Sequence, residues 1–577
     1  MKKALAFLAF GLGCLSARAT PLISELATPP PARPTGVPAA SDVTMRSLRF
    51  HPKNRNDPQD TFKALADFHV TRLEWTYIES GAEQERAKIA RVKAAGCLYG
   101  GATSGHTGVP DGGSPAEDLA MKKSLCLLDI AGRPIVPDFQ KDWKGIRSSG
   151  CVNNPAYRGA FLANCLMQLD AGTEILQRDE ASGNHAVAEV GAGCYCPDCI
   201  RGFRDYLKTT LQGSELAALG VTNVDHFDYA AYLRQTSLPT GHTGVDWSDT
   251  ETSEKIKGMI RKTPLFGHFE RFQAASMVDF YRWLRSRLDA HAGRRVPMSC
   301  NNTSYQNWER PYYREFDFAL SELMVASAQP ARIYECAQRA LALGKIQVFG
   351  TPKTMGKAYD PLWLVRLRRQ AIATAYASGG LSPVPWDCFE QTKGEGGGDR
   401  YFGKPGEYAD LFAFVRANDR FLDRYGTAGA FGPGIPEDRY GQSSPLILEG
   451  ENRKLYAFLR AIPGSSGDAV VIHLVDWNEK ASQPAVLKLR TAAFFGNQPL
   501  DIQLRTPKPF DAAAHTDAEE KARSLRKPTD RLGPLQSAAY EPLVQHLHLD
   551  TTPSGEFTRI ELPPLDPWGI LVVTPKR

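Results

Sequence analysis

The stretch that decides the fold is residues 70–106, VTRLEWTYIESGAEQERAKIARVKAAGCLYGGATSGH. Val70 to Ser80 is an apolar, β-branched and aromatic run that ends in polar residues, the mark of a strand. Residues 83–96, EQERAKIARVKAAG, carry helix formers at helical spacing and stop at Gly96. Cys97 to His106 is again a strand, running into a glycine-rich loop. One strand, one helix and one strand in under forty residues is the repeat of a parallel α/β sheet.

The same alternation extends both ways. Upstream, VTMRSLRFHP (43–52) reads as a strand and DTFKALADFH (60–69) as a helix. Downstream, NPAYRGAFLANCLMQLDAG (154–172) is helical and TEILQRDE (173–180) is a strand that ends in two carboxylates. Phe269, Phe272, Phe280, Trp283, Leu284 and Leu288 share one helical face. RVPMSCNNTS, FDFALSELM, KIQVFGT and GGLSPVPWDCFE read as four more strands, with helical segments between the later ones. About eight strand–helix units between 43 and 430 predict a (β/α)8 TIM barrel; an open doubly wound sheet fits less well, because no glycine-rich phosphate loop is present. From 431 to 577 short alternating strands with turn residues between them (KLYAFLRAI, AVVIHLVDWN, AVLKLRT, LDIQLRT, FTRIEL) predict a C-terminal β-sandwich that buttresses the barrel. Two parts are expected in any case, since single cores stop growing at roughly 250–300 residues and the chain has 577.

Met1-Lys2-Lys3, the apolar run ALAFLAFGLGCL and Ala17-Arg18-Ala19 together read as a secretory signal peptide over 1–19. The run is too short to span a bilayer, and a lipoprotein signal ending at Cys14 is disfavoured by Gly11 three residues before it. Residues 20–42, which include TPPPARPTGVPAASD, read as a proline-rich linker. The expectation is a secreted or periplasmic protein with no membrane span. A net charge of +5 from 69 basic and 64 acidic residues gives no footprint for nucleic acid.

In a barrel the active site lies where strands end, at the C-terminal face. Residues at those predicted ends are His51, Glu74, Trp75, His106, Asp179, Glu180, Asn301, Asn302, Glu322, Lys353, Trp386 and Asp387. Carboxylates beside aromatic rings suit carbohydrate chemistry, because rings stack on sugar C–H faces and carboxylates supply acid, base or nucleophile. Taken singly, each residue is equally well a salt bridge or a cap; the set carries the reading. Two close carboxylates disfavour joint ionisation, so one of Asp179 and Glu180 should have a raised pKa, as a general acid requires.

Eleven cysteines are present, and ten remain once Cys14 leaves with the signal. Cys194, Cys196 and Cys199 crowd into six positions. Cys-x-x-Cys spacing lets two thiolates grip one tetrahedral ion; Cys194 can reach the same ion and Cys151 would close a four-sulfur structural zinc site. Two disulfides are the alternative in an oxidising compartment.

The segment CVNNPAYRGAF…EILQRDEASGNH…CYCPDCIRGFRDYL resembles family 42 β-galactosidases, clan A glycoside hydrolases, over roughly 145–210. The resemblance implies that Glu180 is the acid/base, with Asp179 where that family usually has Asn. It also implies that Cys151, Cys194, Cys196 and Cys199 bind structural zinc. The family's nucleophile is a Glu at the end of strand seven, and this chain has Lys345 to Lys353 there with no carboxylate. The family's middle trimerisation domain is also not evident. Glu322 or Asp387 is then the candidate for the second carboxylate, and inversion would require about 6.5–9.5 Å between it and Glu180. Trp75, His106, Asn302 and Trp386 are the expected sugar contacts. The reading is an exported glycoside hydrolase; the alternatives are a non-catalytic glycan-binding barrel and a polysaccharide lyase using His106, His185 or Lys353.

Overall fold

The computed structural model describes residues 21–47, 61–77, 82–104, 124–136, 149–238, 250–302, 307–355, 358–391, 399–509 and 543–576, with short breaks inside the last two ranges. The signal sequence, His51 and His106 lie outside the described residues.

Seven strands form one parallel sheet in sequence order: β1 (Thr44–Arg46), β2 (Arg72–Tyr77), β3 (Leu98–Thr103), β4 (Ile175–Arg178), β5 (Met298–Cys300), β6 (Phe318–Leu320) and β7 (Ile346–Val348). The eighth position is filled by Leu381–Val384. Leu381 bridges Val348 and Val384 bridges Met45, both parallel, so the segment touches the first and the seventh strand and closes the ring. Leu381 N–H donates to Gln347 O at 3.0 Å and Val384 N–H to Thr44 O at 2.8 Å. Pro383 and Pro385 lack an N–H, which reduces this strand to isolated bridges. The fold is a TIM-barrel-like α/β ring.

Helices follow the strands as the repeat predicts: α1 (Thr61–Asp67) after β1, α2 (Ala82–Ala94) after β2, and α3 (Pro155–Asp170) after β3. The connection after β4 is longer. It holds α4 (Gly183–Glu189), α5 (Pro197–Thr210) and three further short helices before the 27-residue α6 (Phe266–Ala292) returns to β5. Phe269, Phe272, Phe280, Leu284 and Leu288 are buried on α6, as their spacing predicts, and Trp283 is partly buried beside them. Two 3-10 turns replace the helix after β5. α7 (Pro330–Ala342) follows β6, α8 (Pro361–Ala377) follows β7, and α9 (Pro405–Ala417) follows the eighth position. At Gly101 of β3 a Cβ would lie 2.2 Å from Gln168 Oε1, so a larger residue there would displace the Gln168 amide of α3.

Three short strands, β8 (Thr354–Met355), β9 (Cys388–Gln391) and β10 (Asp399–Tyr401), form a separate sheet ordered β10-β9-β8. Beyond residue 425 two antiparallel sheets appear. One has six strands, ordered β11 (Gly426–Phe431), β13 (Leu455–Ala461), β14 (Val470–Asp476), β20 (Trp568–Pro575), β16 (Leu500–Thr506) and β17 (Leu543–His546). The other has four: β12 (Leu446–Glu449), β15 (Ala485–Arg490), β19 (Phe557–Leu562) and β18 (Leu549–Thr551). Every residue of β13 and β14 is buried, because the six-stranded sheet is covered on both sides. Phe458, Val471, Val475 and Trp568 join an apolar cluster with barrel residues such as Tyr376 and Phe414. Ala457, Leu459, Ile472 and Leu474 join Leu487, Leu489 and Ile560 of the four-stranded sheet.

The segment read as a proline-rich linker is anchored, and near its start Ile23–Leu26 form a helical turn. Thr28 N–H donates to Thr427 O at 2.9 Å, and Ser41 gives N–H and O–H to Asp423 at 2.8 and 2.7 Å. Ile23 is buried in the cluster between the antiparallel sheets. No described helix is long and apolar enough to cross a membrane.

Candidate active site

The two carboxylates stand where β4 ends. Asp179 N–H continues the ladder to Thr103 O at 2.9 Å, after which the chain turns sharply. Glu180 has φ of +53°, in the left-handed region that side chains with a Cβ rarely adopt. Among the described residues only four non-glycine residues do this, and three of them, Trp75, Glu180 and Asp387, belong to the predicted rim. Such strain costs of order 1–3 kcal/mol per residue and clusters at functional sites.

Asp179 is held from three directions. Tyr77 Oη donates to its Oδ2 at 2.5 Å, while Asn301 Nδ2 and the Glu180 N–H each donate to Oδ1 at 2.9 Å. Burial, and then the adjacent Glu180 charge, raise the Asp179 pKa; the donors from Tyr77 and Asn301 act against that rise, and Glu322 adds to it. Burial, then Asp179, keep the Tyr77 phenol well above its ordinary value, so it stays protonated and donates. The raised member of the carboxylate pair is therefore Asp179.

Glu322, beyond β6, receives Lys353 Nζ at 2.9 Å and lies 3.9 Å from an Arg46 nitrogen. The lysine at the end of the seventh strand thus compensates a carboxylate at the end of the sixth. Asp387 pairs with Arg400 at 3.0 Å. Asn302 is fully buried inside the ring, where it donates to Gln347 Oε1 at 2.9 Å. Trp75 is 2% exposed; its ring lies under the Arg46 guanidinium at 4.9 Å, and its Nε1 donates to Tyr77 Oη at 3.3 Å. Trp386 is 3% exposed and packs edge-on against Phe402 at 5.0 Å and Phe68 at 6.3 Å. Neither tryptophan presents an open face; both support the rim from beneath. Position along a strand selected them, but not direction: the β2–β3 register shifts between Leu73 and Thr76, around the left-handed Trp75. His185 sits apart, against Tyr312 Oη at 3.3 Å and Glu270 at 3.7 Å, and burial followed by Arg310 lowers its pKa. Tyr77 was missed by the sequence reading. Its signal was its place two residues beyond Trp75 at the end of the same strand.

The sulfur cluster adjoins this rim. Cys151, Cys194, Cys196 and Cys199 are buried and bring their Sγ atoms within 4.8 Å of one another. Cys151 Sγ lies 3.4 Å from Cys199 Sγ and 3.6 Å from Cys196 Sγ. A disulfide needs about 2.05 Å, whereas a tetrahedron of Zn–S bonds of about 2.3 Å has edges near 3.8 Å. All ten cysteines from Cys97 to Cys388 are free thiols. Donors also surround the sulfurs: Leu128 N–H to Cys194 at 3.2 Å, Cys199 N–H to Cys196 at 3.4 Å, and Asn153 Nδ2 to Cys199 at 3.3 Å. The donor set fits a four-thiolate metal ion. Asn184 on α4, four residues past Glu180, donates to Cys151 Sγ at 3.3 Å and Cys199 Sγ at 3.6 Å.

No family model matches this chain. Two relatives are named alpha-agarase. The protein from Alteromonas agarilytica is 27% identical over 243 residues, 40% of this chain and 16% of that protein. The one from Thalassotalea agarivorans is 27% identical over 271 residues, 45% of this chain and 17% of that protein. The chain thus matches about a sixth of the length of these relatives. Among solved structures, an alpha-amylase from Geobacillus thermoleovorans complexed with acarbose aligns over 93% of this chain and 99% of its own, with TM-score 0.49 and 8% identity. An Anoxybacillus alpha-amylase aligns over 93% and 99%, with TM-score 0.47 and 8% identity. At such scores the architecture rests on the strand order described above.

Proposed function

We propose that this chain is an exported glycoside hydrolase acting on a polysaccharide of the agar type. The observation that carries the reading is the pair Asp179–Glu180 at the end of β4, with Asp179 fixed by Tyr77 and Asn301 and Glu180 turned by a left-handed backbone. The two alpha-agarase relatives support the substrate class. The family 42 resemblance supports Glu180 as proton donor and zinc on the four thiols as a structural clamp, and the alternating strands after residue 431 support the two antiparallel sheets as a β-sandwich behind the barrel. Zinc there would have no open position and would only hold the loop that starts at Glu180. Asp179 accepts the Glu180 backbone N–H and so fixes the turn from which the Glu180 side chain projects. Glu322, compensated by Lys353, is the second carboxylate; it acts on water, since the seventh strand supplies no nucleophile. Asp387, paired with Arg400, lines the same rim, and Asn302 supports it from inside the ring.

The test is reducing-sugar release from agar and a panel of polysaccharides by the signal-free chain and by Glu180→Gln. Loss of turnover with unchanged folding supports the reading. Full activity in the variant removes Glu180 from the chemistry, and binding without turnover in the parent chain favours a glycan-binding barrel. The lysine in place of a strand-seven carboxylate is the observation that keeps that second outcome in view. A product absorbing in the ultraviolet would instead indicate a lyase.

A further inference from the structure

A cavity lies at the opposite end of the barrel. It has a volume of about 210 Å³ and is enclosed by the proline-rich segment, the C-terminal ends of α7 and α8, and the start of β11. Its lining includes Arg33, Arg439 and Arg460 and, among the described residues, contains no carboxylate. Arg460, on β13, is 2% exposed. Its Nη2 donates to Tyr425 O at 2.6 Å, yet its Nε is buried without a partner. Arg33 has Nε and Nη1 buried without partners, and the Thr427 hydroxyl is buried without one as well. Two acids act on these guanidinium groups from outside the lining, Asp42 on Arg33 and Asp423 on both Arg33 and Arg460, and Asp423 is also engaged by the Ser41 N–H and hydroxyl at 2.8 and 2.7 Å.

A buried guanidinium donor left unmade is costly, and several around one cavity constitute an excess of donors and positive charge. Burial, and then Arg33, lower the pKa of Arg460 to about 10 against the opposing pull of Asp423. Neutral water would satisfy donors but would not offset charge. An oxyanion does both, since its oxygens accept from several guanidinium N–H groups at once.

We infer that this cavity binds a tetrahedral oxyanion of the sulfate or phosphate class, which ties the proline-rich segment to the barrel and to the six-stranded sheet. The site is remote from the Asp179–Glu180 rim and does not depend on the activity proposed for it.

The test uses the full signal-free chain and inorganic sulfate and phosphate as probes, titrated against chloride at constant ionic strength. Calorimetry should show saturable binding at one site per chain, with a matching saturable rise in Tm. Arg33→Gln and Arg439→Gln should each weaken binding about tenfold or more, the worth of one charge-assisted hydrogen bond. The linear, non-specific rise in Tm that sulfate gives any protein should persist in both. Absence of saturable binding in the parent chain overturns the inference, whatever the variants do. So does equal binding in the parent and in whichever variants fold, since the anion would then sit elsewhere.

Discussion

Tyr77 Oη donates to Asp179 Oδ2 at 2.5 Å and so joins the end of β2 to the end of β4. The bond lowers the Asp179 pKa against the larger upward push of burial and of Glu180. Tyr77→Phe removes the donor and leaves the ring. The limb of the kcat/KM profile that belongs to the carboxylate pair should then move to higher pH. Activity at neutral pH should fall about tenfold, the worth of one strong hydrogen bond, with Tm nearly unchanged. An unmoved limb would separate Tyr77 from the titrating pair.

Glu180→Gln should lower kcat by about 10²–10⁴-fold, the usual contribution of a positioned acid. Glu180→Gly should be equally inactive, but at φ of +53° glycine fits without strain. The glycine variant should therefore melt at or above the temperature of the glutamine variant. The reverse order, measured by calorimetry, would show that the left-handed turn holds no strain at this residue.

How much of this was legible in the sequence depends on what each element asks of its residues. Strands β2 to β4 and helices α2, α3 and α6 follow from spacing alone, because a buried face must repeat with the period of its backbone. The eighth strand was legible as a segment, but Pro383 and Pro385 reduce it to bridges. Except for α5, which the family resemblance places at FRDYL, the helices between 183 and 261 were not read. They pack around the sulfur cluster and around Tyr195, Phe203 and Tyr229 rather than on the barrel, so the βα alternation says nothing of them. At the rim, sequence selected Asp179 and Glu180 by position. It did not reveal Tyr77 as their donor or that Arg46 covers Trp75, because those depend on where strand neighbours point.

Asp179 also has a consequence for stability. Its folded pKa lies above the unfolded value of about 3.9. A carboxyl raised on folding contributes stability at low pH and loses that contribution as pH rises through the folded pKa. At neutral pH the burial of this carboxyl therefore burdens the fold. Asp179→Asn should raise Tm at pH 7, and this advantage should shrink as pH falls from the folded pKa towards about 3.9. An advantage that stays constant with pH would mean that the substitution acts through packing instead.

The sulfur cluster and the rim meet at Asn184, whose amide reaches Cys151 Sγ and Cys199 Sγ from the first turn of the helix that follows Glu180. If the thiols hold zinc, denaturing the unreduced, metal-stripped chain should expose ten titratable thiols, and elemental analysis of the native chain should find one zinc ion. Two disulfides would leave six, because four of the ten would be paired. Chelation, or Cys196→Ser, should lower Tm and loosen the α4 region in hydrogen exchange, since the metal's binding energy is part of the folding energy. Asn184→Ala separates the two roles. It keeps all four ligands, so zinc content should remain at one per chain, while the tie between the cluster and the loop is cut. The variant should lose turnover through kcat more than through KM, and its exchange protection should fall around residues 180–189 alone. Unchanged kcat with unchanged zinc would show that the clamp stabilises the insertion without positioning Glu180.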